Sequence, residues 1–409
     1  MINKSSLNDP AEIDIVSGRF KANPFPFLAQ LRASQPAYHT KLRDKTPVCL
    51  VTRYDDVVSL LHDERFTKNR RSALTAEQAK TLPWIPSMFR PLERNMLDVD
   101  PPDHTRLRAL VHKAFTPGLV EGMTVRAQTL ADELLDKVVR RGEMDTIKDF
   151  ALPLPMTIIS EVLGVPSADR DKFHRWTQAV VSLTSPSPTL RVIPSVWKFI
   201  RYLRRFFKIR RRNPQNDLVS VLIRAEEAGD RLSEDELLAM VFLLLIAGHE
   251  TTVNLIGNGV LALMENPDQM ERLRREPELI KSAVEELLRF TSPVFTTTER
   301  YARVSTTLNG VTILQGEMLL GVIGSANRDE TVFEKPNALN LARDPNKHLS
   351  FGHGIHFCLG APLARMEARI AINTLLRRLP NIELKGPAEC LRWKASIFLR
   401  GLEKLPVRF

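Results

Sequence analysis

Phe351-Gly352-His353-Gly354-Ile355-His356-Phe357-Cys358-Leu359-Gly360 hands a single cysteine to the start of a helix. Pro362 stands where a first-turn residue belongs, and the helix it opens runs to about Arg378. Cys358 therefore precedes a helix N-terminus, whose dipole and unpaired N–H groups stabilise a thiolate and lower the thiol's pKa. Glycines on both sides let the backbone approach something large and flat. Such a loop presents one thiolate to a metal with N–H donors around the sulfur, and ligation of haem iron is the known use. Two other readings compete. A lone cysteine is most often simply buried, which leaves the flanking glycines unexplained. His348, His353, His356 and Cys358 could instead hold zinc, but this bunching does not fit the paired spacings of structural zinc.

Upstream, Ser233 and Glu236 have capping-box spacing, and Asn266-Pro267 closes the run they open. The helix between them is about 30 residues, or ~45–50 Å, long enough to cross the molecule. Leu237–Ile246 is apolar nearly all round and must be buried on most sides. The character then changes abruptly to Ala247-Gly248-His249-Glu250-Thr251-Thr252. A glycine, an acid and two hydroxyls inside a buried helix break the local rule, and function is expected at such breaks. Gly248 with the hydroxyl of Thr251 or Thr252 can open the i→i−4 ladder and make room for dioxygen and water. Glu250 and Thr251 would then relay protons. The plainer reading is a back-bonding threonine beside a surface glutamate. Further on, Glu286 and Arg289 stand three apart on one helix face and can pair, a common and individually weak pattern.

The rest of the chain supports one mainly α fold with small β-sheets (α+β), spanning residues 1–409 as a single domain. Helical periodicity dominates from about Val125 to Phe290. Strand signals cluster at Val48–Thr52 and Thr306–Leu320, the latter with Asn309-Gly310 as a hairpin turn. Hydrophobic residues at 43% suffice for a large core. Met1–Pro10 is polar with no apolar segment after it, and Leu237–Ala247 is shorter than the roughly 20 residues of a membrane span. Together with three dispersed cysteines (Cys49, Cys358, Cys390), this implies a reducing cytoplasm and no membrane span. Cys49, in an apolar run, reads as a buried strand residue. The net charge is +10, much of it in Lys198–Arg212, where Phe199, Tyr202, Leu203, Phe206 and Phe207 interleave with cations. That is a basic amphipathic helix. A solvated face over a buried stripe is its plainest reading; nucleic-acid or membrane-surface contact are the alternatives, and a basic surface also suits an acidic protein partner.

Phe351–Gly360, Ala247–Thr252 and Glu286–Arg289 occur in an order and separation that resemble the cytochrome P-450 family, and more narrowly its soluble bacterial type. The resemblance runs from Asn23-Pro24 to the C-terminal strand region. It implies haem b between the long central helix and the cysteine loop, with Cys358 as the iron ligand. Phe351, Gly352, Gly360, Ala247 and Gly248 would line the haem. Pro101–Arg108 matches the entry to a helix where His104 and Arg108 would bind haem propionates, and Arg300 and His356 match two further propionate positions. Glu250 and Thr251 match the acid–alcohol pair of oxygen activation, and Glu286 and Arg289 a structural pair with Arg343 as third member. Leu243, Ile246, Val294, Phe295, Ile397 and Phe398 would wall a substrate pocket, with Leu82–Phe89 and Leu183–Val196 as entry lids. A lipophilic small molecule would be hydroxylated or epoxidised with dioxygen. No flavin domain or dinucleotide signature is visible, so electrons would come from a separate acidic ferredoxin or flavodoxin with its reductase. No nucleic-acid partner is expected.

Overall fold

The computed structural model describes residues 14–80, 82, 95–115, 117–181, 193–227 and 232–409. Helices of nine residues or more are α1 (Phe25–Ser34), α2 (Tyr54–His62), α3 (Asp103–Ala114), α4 (Pro117–Val139), α5 (Pro153–Val162), α6 (Arg170–Val181), α7 (Ile193–Arg212), α8 (Leu218–Glu227), α9 (Glu234–Met264), α10 (Pro267–Arg275), α11 (Ile280–Thr291) and α12 (Ala361–Arg378). The strands are β1 (Ala37–Lys41), β2 (Pro47–Val51), β3 (Phe66–Thr67), β4 (Glu143–Asp145), β5 (Arg300–Ala302), β6 (Thr306–Leu308), β7 (Val311–Ile313), β8 (Met318–Gly321), β9 (Glu383–Leu384) and β10 (Pro406–Arg408).

The central helix α9 begins as its capping box requires. Ser233 Oγ accepts from the Glu236 N–H, and Glu236 Oε2 accepts from the Ser233 N–H at 2.7 Å. It packs against α5, α11 and α12 and also against α6, α7 and α8. Its second half, Thr252–Leu263, is buried residue by residue. The helix as a whole is long and apolar enough to cross a membrane, although its apolar run alone is not. Packing decides the matter: its solvent is the interior of this protein.

The basic helix α7 buries Val196, Phe199, Ile200, Leu203, Phe206 and Phe207 and leaves most of its cations exposed. The apolar stripe is core, and the Phe199 ring meets Phe242 of α9 at 6.2 Å between centroids.

The main sheet has the order β1-β2-β8-β5-β3, with β2 and β8 parallel and the other pairs antiparallel. Strand β2 is an unbroken apolar run because both its faces are covered. Val48 and Leu50 enter one apolar cluster, while Cys49 and Val51 enter another on the opposite side. Burial first, with Glu317 adding to it, pushes the Cys49 thiol up to about 12, so it is an inert core residue. Asn309 (φ 49°) and Gly310 (φ 77°) form the left-handed turn between β6 and β7. The single strand signal over Thr306–Leu320 resolves into this hairpin and β8, which joins the main sheet instead.

Candidate functional site

The cysteine loop is built from left-handed turns and fixed from several sides. Gly352 (φ 72°) and Gly354 (φ 69°) adopt a backbone that L side chains rarely take. The Cys358 N–H donates to Phe351 O at 2.9 Å, closing the loop on itself. Arg108 of α3 donates to Phe357 O at 2.7 Å. Ser350 donates to Leu288 O of α11 at 2.8 Å. Behind it, Arg365 of α12 grips Glu285 of α11 through two hydrogen bonds of 2.8 and 2.7 Å. Gly360 caps α12, and a Cβ there would sit 4.0 Å from Cys358 Sγ, so glycine keeps the space beside the sulfur open.

Cys358 is exposed to solvent by surface area, yet protein surrounds it closely, as at the bottom of a cleft. Burial pushes its thiol up. The Gly360 N–H, the charges of Arg108 and Arg365 and the Ala361 N–H pull the other way without prevailing. The lowered thiol expected from the helix N-terminus is therefore not what this environment produces by itself; a cationic metal is the further charge that would hold the thiolate.

Each histidine of the zinc alternative is engaged elsewhere. His348 pairs with Glu285 at 3.1 Å, His353 with His62 at 2.6 Å, and the His356 ring lies 4.2 Å from that of His104. Among the described residues no group of three or more His, Cys, Asp or Glu is arranged to hold a metal ion.

On α9 the burial pattern changes at the predicted place. Leu243, Ile246, Gly248, Glu250 and Thr251 are half-buried and Ala247 is exposed, in a helix buried on either side of them. Open space therefore runs along the helix at this point. Two expectations need correction here. The helix is continuous through Gly248. Gly248 does not face open space: a Cβ there would meet Ile159 of α5 at 3.2 Å, so this glycine permits close helix packing. Thr251 Oγ1 donates to Ala247 O at 2.9 Å, the plain back-bonding geometry. Glu250 is not free either. Lys394 Nζ donates to it at 2.7 Å, and buried His249 lies 3.9 Å away. Lys394, over a hundred residues downstream, carried no sequence signal.

The candidate pocket residues divide. Val294, Ile397 and Phe398 are half-buried, as a wall residue can be. Phe295 is 1% exposed and packs in the sheet core, under Gly324 and against the Lys21 ammonium at 3.8 Å from its ring centre. It is a core residue, because side chains alternate along this extended stretch and Phe295 takes the inward position. The lid segments Leu82–Phe89 and Leu183–Val196 lie outside the described residues except for Leu82 and the first turn of α7.

His104, Arg108, Arg300 and His356 do come together, and buried Lys68 joins them. Burial, then Arg300, His104, Lys68 and Arg108, drive His356 down to about 2. Burial, then Arg108, lowers His104. Burial, then Arg300, brings Lys68 to about 8, and burial brings Arg300 to about 10. Of the nearby acids, Asp98 and Glu299 act on Lys68, and Asp100 is already occupied by Thr67, the Lys68 and Asn69 N–H groups and Arg303. Both ring nitrogens of His104 and Nη1 of Arg300 are buried without a partner. Buried cations and donors left unmatched call for an anion from outside the chain. Two carboxylates on one side of a planar group whose metal meets Cys358 fit this donor set.

The opposite holds at Glu286. It accepts from Arg289 Nε and Nη2, both at 2.7 Å, from Arg343 Nε at 3.0 Å, from the Asn340 N–H at 3.0 Å and from Asn346 Nδ2 at 3.1 Å.

A cysteine loop before a helix N-terminus, open space along a central helix and unmatched cations together define a haem-thiolate oxidoreductase. The chain belongs to the cytochrome P-450 family, whose model covers residues 16–387. It is 44% identical over 391 residues to the polyketide biosynthesis cytochrome P-450 PksS of Bacillus subtilis, covering 95% of this chain and 96% of that protein. The structure of the myxobacterial cytochrome P-450 CYP267B1 with myristic acid superposes with a TM-score of 0.90 at 41% identity, over 97% of this chain and 98% of that one. The BioI cytochrome P-450, in complex with hexadec-9Z-enoic acid ligated acyl carrier protein, superposes at 0.86 with 38% identity, over 96% and 100%. The protein is therefore an oxidoreductase that incorporates oxygen from O₂, carries haem-thiolate, acts on a lipophilic substrate and works with a redox partner.

Proposed function

We propose that the chain inserts one oxygen atom of O₂ into a C–H or C=C bond of an acyl or polyketide chain, using haem b held by Cys358. The observation that carries this reading is the cluster of His104, Arg108, Arg300 and His356, in which the His104 ring nitrogens and Arg300 Nη1 are buried with no hydrogen-bond partner among the described residues. Those four residues, with Lys68 beside them, would bind the two propionates; Cys358 would ligate the iron. When bound, the haem supplies the oxygen chemistry, with thiolate electron density favouring O–O cleavage.

The chain's own part is to orient, exclude water and move protons. Leu243, Ile246, Val294, Ile397 and Phe398 present apolar surface to the substrate. The Thr251 hydroxyl, tethered to Ala247 O on the half-buried stretch of α9, would donate protons there. Lys394 Nζ donates to Glu250 Oε1, and release of that pair would free the carboxylate to act as a relay. A separate acidic ferredoxin or flavodoxin with its reductase fits the chain's excess of cations. The relatives named for polyketide biosynthesis and crystallised with fatty acid, free or on a carrier, support the acyl class.

The test is the absorption spectrum of the reduced protein with and without carbon monoxide, for wild type and Cys358→Ala. A strongly red-shifted Soret band in the wild type, lost in the variant, is the expected result. No haem, or an unshifted band in both, would overturn the ligation.

A further inference from the structure

A second concave site lies outside the haem region, on the outer face of α7. Trp197, Ile200, Arg201, Arg204, Arg205 and Lys208 line a cavity of about 420 Å³. Their three- and four-residue spacing places them on one side of the helix, with Ile200 at the edge of the buried stripe and the other five on the flank beside it. Trp197 is 48% exposed and carries the Arg201 guanidinium 5.4 Å from its ring centre. Acids of the chain meet only part of this charge. Arg204 pairs with Asp235 at 3.1 Å and Glu234 at 3.6 Å, and Arg210 with Asp217 at 2.6 Å. Arg201, Arg205 and Lys208 are exposed and have no acidic partner among the described residues. The inner face of the same helix rests on Phe242 of α9, one residue before Leu243 of the candidate pocket.

We propose that this face docks an acidic acyl-carrier protein, so that the substrate reaches the pocket still attached to its carrier. The inference rests on the acyl reading of the substrate. Charge complementarity favours an acidic surface, and an exposed tryptophan among guanidinium groups is the make-up of a protein–protein hot spot. The concavity asks for a convex partner, which a lipid surface does not offer. A helix that lies on a membrane inserts its apolar face, and that face of α7 is already spent in the core. Electron delivery belongs elsewhere: α7 packs with α6, α8 and α9, whereas α12, which follows Cys358, packs with α4, α9 and α11.

The experiment uses the haem-loaded full chain and three probes: palmitoyl-loaded acyl carrier protein, free palmitic acid, and phosphatidylglycerol vesicles. Binding is read by calorimetry and by the Soret shift for wild type, for the triple variant Arg201→Glu, Arg205→Glu, Lys208→Glu, and for the matching Gln triple. The expected result is carrier binding at least tenfold weaker in the Glu variant, intermediately weakened in the Gln variant and strongly salt-dependent in the wild type. The Soret shift with free palmitate and the melting temperature should not change. Equal carrier binding in all three proteins overturns the proposal, as does binding of vesicles but not carrier by the wild type. If free palmitate gives no Soret shift while charge reversal still weakens carrier binding, the docking face stands and the acyl reading of the pocket falls.

Discussion

Two buried clusters of arginine and its partners sit within this fold and are built to opposite plans. At Glu286, charge is closed: Arg289 and Glu286 are both 0% exposed, the Arg289 N–H groups donate to Glu286 or to backbone carbonyls, and both Glu286 oxygens accept from donors of the chain. At Arg300, charge is open. His104 and Arg300 keep buried polar atoms without partners, and Asp100, the carboxylate that acts on both, accepts from other groups. A closed cluster stabilises the fold by itself, while an open one costs stability until a ligand completes it. Stability of the haem-free protein is therefore a scale on which the two plans separate.

The largest effect should come from breaking the closed cluster. Glu286→Gln leaves the Arg289 guanidinium buried without its counter-charge, a loss of about 3–5 kcal/mol. Against a typical total of about 5–15 kcal/mol, denaturant titration should show a protein on the verge of unfolding. A variant within about 1 kcal/mol of wild type would mean the cluster is not closed in solution.

What could be read beforehand follows the same division between local and distant causes. The Ser233–Glu236 box, the Asn309-Gly310 turn and the helix after Pro362 were legible because each is specified by residues a few positions apart. The β2 run was legible because period and composition agree with burial on both faces. The Cys358 loop was legible because glycine and cysteine constrain the backbone where they stand. Lys394 on Glu250 and Lys68 beside Arg300 were not, since they arrive from strands and loops far along the chain. Phe295 was misplaced for a subtler reason. One step of alternation separates it from Val294, and nothing local says which of the two faces the pocket.

An intermediate case tests the comparison by pH. Glu285 joins α11 to α12 and is one-quarter exposed. Burial works against its charge, but hydrogen bonds from His348 and Arg365, with their positive charges, outweigh it and hold the carboxyl at about 2. The unfolded chain, with an ordinary carboxyl near 4.5, binds more protons between those values, so the stabilisation is complete above about pH 4.5 and is lost as pH falls toward 2. It is worth on the order of 2 kcal/mol after solvent screening. Melting curves of wild type and Glu285→Gln should differ at pH 6 and converge near pH 2.5. Curves offset equally at both values would show that the carboxylate is not what joins the helices.

The smallest effect on stability, and the sharpest contrast, belongs to the open cluster. His104→Leu removes two buried ring nitrogens that have no hydrogen-bond partner and replaces them with apolar volume at a 2% exposed position of α3. Removing an unmatched polar group is close to neutral or stabilising, so the haem-free variant should unfold within about 1 kcal/mol of wild type, or later. The same change takes a donor from the carboxylates that the cluster is shaped to receive. Haem transfer from the loaded variant to apomyoglobin should therefore run at least tenfold faster than from wild type, a loss of about 1.4 kcal/mol or more in retention. Opposite signs for the two measurements are what an open cluster requires. If His104→Leu instead unfolded the haem-free chain as Glu286→Gln does, the two clusters would be one kind of structure, and the unmatched donors would owe their place to packing rather than to a ligand.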